Sequence, residues 1–287
     1  MRVIVAGQTL RIIRMRIRVI TIRCMNEPSQ EIMRGMHLLQ LADLTRNDIE
    51  YALNLYESET FHAPTMMHPV ETLLSQGFEQ TCKTVLELAS FSSTGEWLNG
   101  KELKTKYGHD LEQCASSVLT YVKENLNKAT NCEHVIAFML RQVRNDEPLH
   151  RIIRLLSRFG RFARYHSLDV VADGRSNDND PTAEWLQIET GITLNDETMK
   201  PLWQEWNSHM PDPDSGEYQM RTQMVVRQSI ANRLIRLHDL LIFAGIQGIY
   251  GQRGRSWARE ATVRKDEWSE RLDGYCAAAC RSGDADD

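Results

Sequence analysis

Residues 69–86, with the sequence PVETLLSQGFEQTCKTVL, decide the fold class of this chain. The apolar residues of this stretch recur every three or four positions, which is the spacing of an amphipathic helix. Pro69 suits the first position of such a helix, so we predict a helix from residue 69 to about residue 90. The apolar positions are Leu73, Leu74, Phe78, Cys82, Val85 and Leu86.

The same helical spacing recurs along most of the chain. Residues 37–245 contain no alternating run of β-branched residues, and the chain has only 8 prolines. We therefore predict an all-α protein. Further helices are predicted at about 44–58, from His109 onward, and at 131–143, 148–165, 182–190, 198–209 and 217–244. Residues 91–107 and 173–181 are predicted as loops.

Composition limits the protein class. A chain of 287 residues with 41% apolar and 25% charged residues is typical of a soluble globular protein. It contains no run of about 18 apolar residues, so we expect no membrane partner. The six cysteines are scattered, which favours reduced thiols and a cytoplasmic location.

Four segments are expected from the composition. Residues 1–34 form a basic extension rich in arginine and β-branched residues. Its composition fits an edge strand, a basic arm, a targeting peptide, or a translated leader before a start at Met25, Met33 or Met36. We favour a non-essential extension. Residues 35–170 form a helical bundle, and residues 171–245 add helices that pack on it. Residues 246–287 form a flexible tail.

The charge is distributed unevenly. Residues 1–24 contain six arginines and no acid, although the whole chain has a net charge of −5. The remainder carries 28 basic and 39 acidic residues, a balance of −11. An acidic body does not suit a general DNA coat, but it leaves room for a local basic face.

A candidate catalytic motif lies at residues 144–150, with the sequence RNDEPLH. An arginine can hold a phosphate there, and a histidine can move a proton near neutral pH. The R…H spacing alone is what chance supplies, because it also occurs at Arg161/His166 and Arg233/His238. Asn145 after the arginine makes the first occurrence more specific. Pro148 predicts a corner, with Arg144 ending one helix and His150 in the first turn of the next.

Arginines continue beyond this motif. Arg151, Arg154, Arg158 and Arg161 recur at i, i+3, i+7 and i+10, which places them on one helix face. Arg141, Arg144 and Arg164 extend the basic run. Two interpretations stay open: a phosphate track for RNA, or a solvated face paired with acids of a neighbouring helix. The candidate RNA-binding residues are Arg141, Arg151, Arg154, Arg158 and Arg161.

Other motifs are weaker. Residues 95–102 imitate a phosphate-binding loop, but Glu102 stands where Ser or Thr would hold magnesium. Asp110, beside His109, is more typical of a helix cap than of a catalytic acid. Cys276 and Cys280 have no nearby histidine. We therefore expect neither a metal nor a cofactor.

Two segments resemble a known family. Residues 67–83 form an apolar helix bearing a glutamate and then a lysine, and residues 106–111 read KYGHDL. Together they resemble bacterial proteins of the HEPN fold (higher eukaryotes and prokaryotes nucleotide-binding), over about residues 67–166. The resemblance implies a bundle of four or five helices.

The resemblance also gives the R-N-x4-H motif a function. It implies a metal-independent endoribonuclease, of toxin or defence type, that acts as a homodimer and can have an antitoxin partner. Arg144 would steady the RNA phosphate, Asn145 would support the corner, and His150 would act as acid or base. The alternatives are a non-catalytic module of the same fold, which binds a nucleotide or a protein, and a structural helical assembly protein.

Overall fold

The structure, a computed structural model, describes residues 29–162, 165–173, 180–197, 199–208 and 215–283. Within these ranges the protein is helical and has no strand, which confirms the all-α class. The helices are α1 (Gln30–Glu57), α2 (Ala63–Thr94), α3 (Gly100–Lys106), α4 (Leu111–Glu124), α5 (Glu133–Arg144), α6 (Glu147–Arg161), α7 (His166–Asp173), α8 (Pro181–Asn195), α9 (Lys200–Ser208), α10 (Ser215–Ile246), α11 (Gly251–Ala261) and α12 (Trp268–Gly283).

The helices share one continuous core. Helix α1 packs along α2, and α2 also contacts α4, α6 and α11. Helix α10 packs against α1, α5, α8, α9 and α11, so it lies at the centre of the bundle. Buried side chains of α10, such as Leu234 and Leu241, belong to the same cluster as those of α2 and α4. The helices before and after the predicted boundary at residue 170 therefore share one hydrophobic core.

The N-terminal part of the bundle begins earlier than predicted. Helix α1 starts at Gln30, and the Ser29 side chain accepts a hydrogen bond from the Ile32 N–H at 3.4 Å. The predicted start near residue 44 is wrong, because the first turns of α1 carry exposed apolar residues such as Ile32 and Met36 and so lack a clear apolar stripe. Residues 1–28 of the basic extension lie outside the described residues.

Helix α2 also begins before its predicted start. It opens at Ala63, with Pro64 in its first turn, and Pro69 lies inside the helix instead of opening it. Its apolar stripe is confirmed, with Leu74, Phe78 and Cys82 buried. A Cβ on Gly77 would lie 2.7 Å from Ile49, so this glycine permits the close contact of α1 and α2.

The segment that imitates a phosphate-binding loop is a helix end followed by a helix start. Gly95 terminates α2 with a φ of 78°. Asn99 and Glu102 form a capping box at the start of α3, in which the Asn99 N–H donates to Glu102 at 2.8 Å. Both polar side chains are therefore occupied by local backbone contacts.

The prediction of a flexible tail over residues 246–287 is wrong as far as residue 283, because this region contains the helices α11 and α12. Trp257, Ala258 and Ala261 are buried in the core. A Cβ on Gly245, at the end of α10, would lie 2.8 Å from Ala258 of α11. Gly245 therefore allows α11 to pack closely on α10.

Candidate functional site

The corner at residues 144–150 has the predicted form. Helix α5 ends at Arg144, and the N–H of Asn145 donates to the carbonyl of Arg141 at 3.1 Å. Asp146 then caps α6, because its Oδ1 accepts a hydrogen bond from the Leu149 N–H at 3.1 Å. His150 therefore lies in the first turn of α6, directly after the end of α5.

The His150 ring is held against the end of α5. Its Nε2 lies 3.0 Å from the carbonyl oxygen of Arg144. Because a carbonyl can only accept, Nε2 carries the hydrogen of this bond. In the neutral ring, Nδ1 then keeps the lone pair and can take up a proton. The arrangement gives His150 a defined orientation and a single basic nitrogen.

Arg144 and His150 line one cleft of about 260 Å³ between α4, α5 and α6. Arg144 is exposed and His150 is half-buried, whereas Leu149 behind them is buried. The opposite wall is provided by α4, with Glu112 and Ser116, and Leu237 of α10 also lines the cleft. We name this space the corner cleft. It combines a cation, a proton-transfer group and a carboxylate.

Asp146 anchors the corner to the core, a role that the sequence did not reveal. The Nε of Arg233 lies 3.2 Å from Asp146 Oδ1, and Nη1 of Arg236 lies 3.4 Å from Oδ2. The Asp146 side chain is only 8% exposed. Arg233 also contacts Asp196, at 2.8 Å, so one arginine of α10 joins the corner to the end of α8. The cap position of Asp146, before Glu-Pro, was the only local signal.

The arginines of α6 divide into two rows instead of forming one open ridge. Arg154 and Arg161 face α4, where they pair with Glu112 at 3.4 Å and with Asp110 at 2.9 Å. In both pairs the arginine side chain stays about half exposed.

The second row faces α8. Arg158 pairs with Glu184, and an Arg151 nitrogen would lie 3.4 Å from a Cβ built on Gly191. Arg141 lies in the last turn of α5, beside the corner. Arg164 lies outside the described residues. The structure thus places Arg144 and His150 at one cleft and the arginines of α6 on two flanks of that helix.

Asp110 has the cap function that its position indicated. Its Oδ1 accepts from the Gln113 N–H at 2.9 Å and from the Ser157 hydroxyl at 3.1 Å. With Arg161 on Oδ2, this carboxylate joins the start of α4 to the end of α6. Asp110 is therefore occupied by structural contacts.

Among residues 29–283, apart from the gaps given above, no group of three His, Cys, Asp or Glu side chains is placed to hold a metal ion. In the same residues, none of the helices combines the length and apolar character needed to cross a bilayer.

Comparison of the chain with protein-family models, with curated proteins and with solved structures finds no match in any of the three.

Proposed function

We propose that the corner cleft binds a phosphate of single-stranded RNA and that Arg144 and His150 cleave the strand there without a metal. The observation that carries this proposal is that Arg144 and His150 line the same cleft. Residues 67–83 and 106–111 resemble proteins of the HEPN family, and that resemblance implies the same chemistry. The one carboxylate in the described lining, that of Glu112, is paired with Arg154, so Arg144 can bind a phosphate there.

The reaction requires a cation at the phosphate and a base at the 2′-hydroxyl, and residues of the cleft can supply both. The Arg144 guanidinium can bind two phosphate oxygens and stabilise the charge that develops on them. The Nδ1 of His150 can accept the proton of the ribose 2′-hydroxyl as its oxygen attacks phosphorus. The bond from phosphorus to the 5′-oxygen then breaks, leaving a 2′,3′-cyclic phosphate.

The leaving 5′-oxygen needs a proton from a second group. In the proposed homodimer, the protonated His150 of a second copy would supply that proton. The reaction then needs no metal, because a base, an acid and a phosphate-binding cation are all side chains. Asn145 contributes through its backbone N–H, which closes the corner on the Arg141 carbonyl.

Cleavage of single-stranded RNA in the presence of EDTA tests this function. Removing one proton-transfer group should lower the rate by about 10²–10⁴-fold in His150→Ala. His134→Ala is the matched control, because His134 is exposed on the neighbouring helix α5 and does not line the cleft. Equal rates for wild type and His150→Ala, or no cleavage by wild type, would exclude the ribonuclease.

A second candidate is a non-catalytic RNA- or nucleotide-binding module. The observation that favours it is that Arg154, Arg158 and Arg161 stay about half exposed, although each pairs with an acid of the same chain. These half-exposed pairs can exchange a carboxylate for a phosphate at little cost, because such pairs stabilise a protein by at most about 1 kcal/mol. Binding with a steep salt dependence and without any product would favour this module over the ribonuclease.

A further inference from the structure

A second cleft lies at the other end of α6. It has a volume of about 450 Å³ and lies between α2 and the C-terminal end of α6, beside the start of α4. Its walls carry hydroxyl, amide, imidazole and aromatic groups. We name it the His109 cleft; its lining includes His68, Thr72, Gln76, Glu79, His109 and Tyr165.

A hydrogen-bonded group orients His109 in this cleft. Its Nδ1 lies 3.1 Å from Glu79 Oε1, and the Lys83 ammonium donates to the same oxygen at 2.6 Å. Lys83 also donates to the Gly108 carbonyl, which ties the loop before α4 to α2. A carboxylate at Nδ1 leaves Nε2 of the neutral ring as the acceptor. The His109 side chain is 65% exposed, so this nitrogen is accessible.

The charges around the His109 cleft differ from those of the corner cleft. Lys83 is neutralised by Glu79, and Arg161 is paired with Asp110 nearby. The described lining of the His109 cleft contains no arginine, whereas Arg144 lines the corner cleft. The His109 cleft therefore does not favour a phosphate over a neutral ligand.

The remaining groups suit a flat ligand that forms several hydrogen bonds. The His68 ring packs edge-on against Phe159, with 5.3 Å between ring centroids. His68 and Tyr165 are both exposed beside the cleft, where aromatic faces can stack on a base. The Gln76 amide supplies a donor and an acceptor for the edge of a heterocycle, and the Thr72 hydroxyl, which donates to the His68 carbonyl at 2.8 Å, supplies an acceptor.

The two clefts lie along one helix. His150 lines the corner cleft and Gly160 lines the His109 cleft, so ten residues of α6 separate them, or about 15 Å. Arg154, which is half exposed, lies between these positions on the side that faces α4, and Arg161 follows Gly160 on the same side. One oligonucleotide can therefore follow α6 from its phosphate-binding end toward its neutral end.

We propose that the His109 cleft binds the base and sugar of a nucleoside, with His109 accepting a hydrogen bond from a sugar hydroxyl. The natural ligand would be a nucleoside of the RNA held at the corner cleft, and to that extent the inference rests on the proposed function. The His109 cleft would then give the protein a preference for particular bases at some distance from the bound phosphate.

Calorimetric titration with adenosine, guanosine, cytidine and uridine tests this site directly. We expect saturable binding of at least one nucleoside, and no more than a twofold gain from a 5′-phosphate on it. His109→Ala and Gln76→Ala should each weaken binding at least tenfold. Both residues are exposed, and circular dichroism and thermal unfolding check that the variants fold.

Arg144→Gln separates this site from the proposed function. It should leave nucleoside binding unchanged, because Arg144 lies in the other cleft. Absence of saturable nucleoside binding, equal affinity in the His109 and Gln76 variants, or a strong requirement for the phosphate would each overturn the inference. The proposed function is measured independently by RNA cleavage in EDTA, so failure of either proposal is recognisable.

Discussion

Arginines of α10 and α12 pair with buried carboxylates, whereas arginines of α6 pair with carboxylates that are partly exposed. Arg233 holds Asp146, and Arg271 holds Asp239 through two bonds of 2.8 and 3.0 Å, with both carboxylates almost or fully buried. Arg154 and Arg161 of α6 instead form pairs that remain half exposed. Removing one member of a buried pair leaves the other charge buried and less well compensated. In an exposed pair, water solvates the remaining charge. Burial thus distinguishes arginines that hold the fold from arginines that can bind a ligand.

The largest effect is expected for Asp146→Ala. The variant removes this acceptor from Arg233 and Arg236 and removes the cap of α6, while Arg233 keeps Asp196, so the free energy of unfolding should fall by about 2–4 kcal/mol. Urea denaturation followed by circular dichroism measures the change.

Glu112→Ala is the control for that measurement. It removes the acid from an exposed pair with Arg154, so the loss should be at most about 1 kcal/mol. Similar losses of unfolding free energy in the two variants would contradict the distinction between buried and exposed pairs.

Glu71 is a buried carboxyl that, unlike Asp146 and Asp239, has no arginine partner among the described residues. Neither of its carboxyl oxygens has a hydrogen-bond partner among the described residues. Burial, with a smaller contribution from Asp180, raises the pKa of Glu71 from its usual 4.5 to about 8. The folded protein therefore holds this proton more tightly than the unfolded chain. That contribution to stability is complete below pH 4.5 and is lost as the pH rises to 8.

We expect Glu71→Gln to remove this pH dependence. The variant should gain on the order of 3 kcal/mol in unfolding free energy relative to wild type between pH 5 and pH 8. Urea denaturation at the two pH values measures the gain. Glu96→Gln, in an exposed loop, is the control and should show no such gain. A constant difference between Glu71→Gln and wild type at both pH values would contradict a buried, protonated Glu71.

The features that the sequence predicted have local causes. The apolar stripe of α2 and the corner between α5 and α6 depend on residues within one or two helical turns of each other. Pro148 predicted a corner with His150 in the first turn of a new helix, and α6 begins in that way. The grouping of Arg144 with His150 follows from that corner.

The features that the sequence did not predict depend on distant residues. Asp146 and Arg233 are 87 residues apart, and no periodicity connects them. The division of the α6 arginines into two rows depends on which helices lie beside α6. The His109 cleft requires α2, α4 and α6 to meet. Its signal, a Glu-x3-Lys pair followed by Gly-His-Asp-Leu, was visible in the sequence, but it contributed only to the family resemblance.

Binding of RNA at the corner cleft, measured without cleavage, tests most directly whether Arg144 holds a phosphate there. A single-stranded 2′-O-methyl RNA lacks the attacking hydroxyl, so its affinity for wild type and Arg144→Gln can be titrated over a range of salt concentrations. We expect Arg144→Gln to bind several-fold more weakly and to lower the salt slope by about one counterion. Arg221→Gln, an exposed arginine of α10, should match wild type. Equal affinity and salt slope for Arg144→Gln and wild type would contradict a phosphate-binding corner.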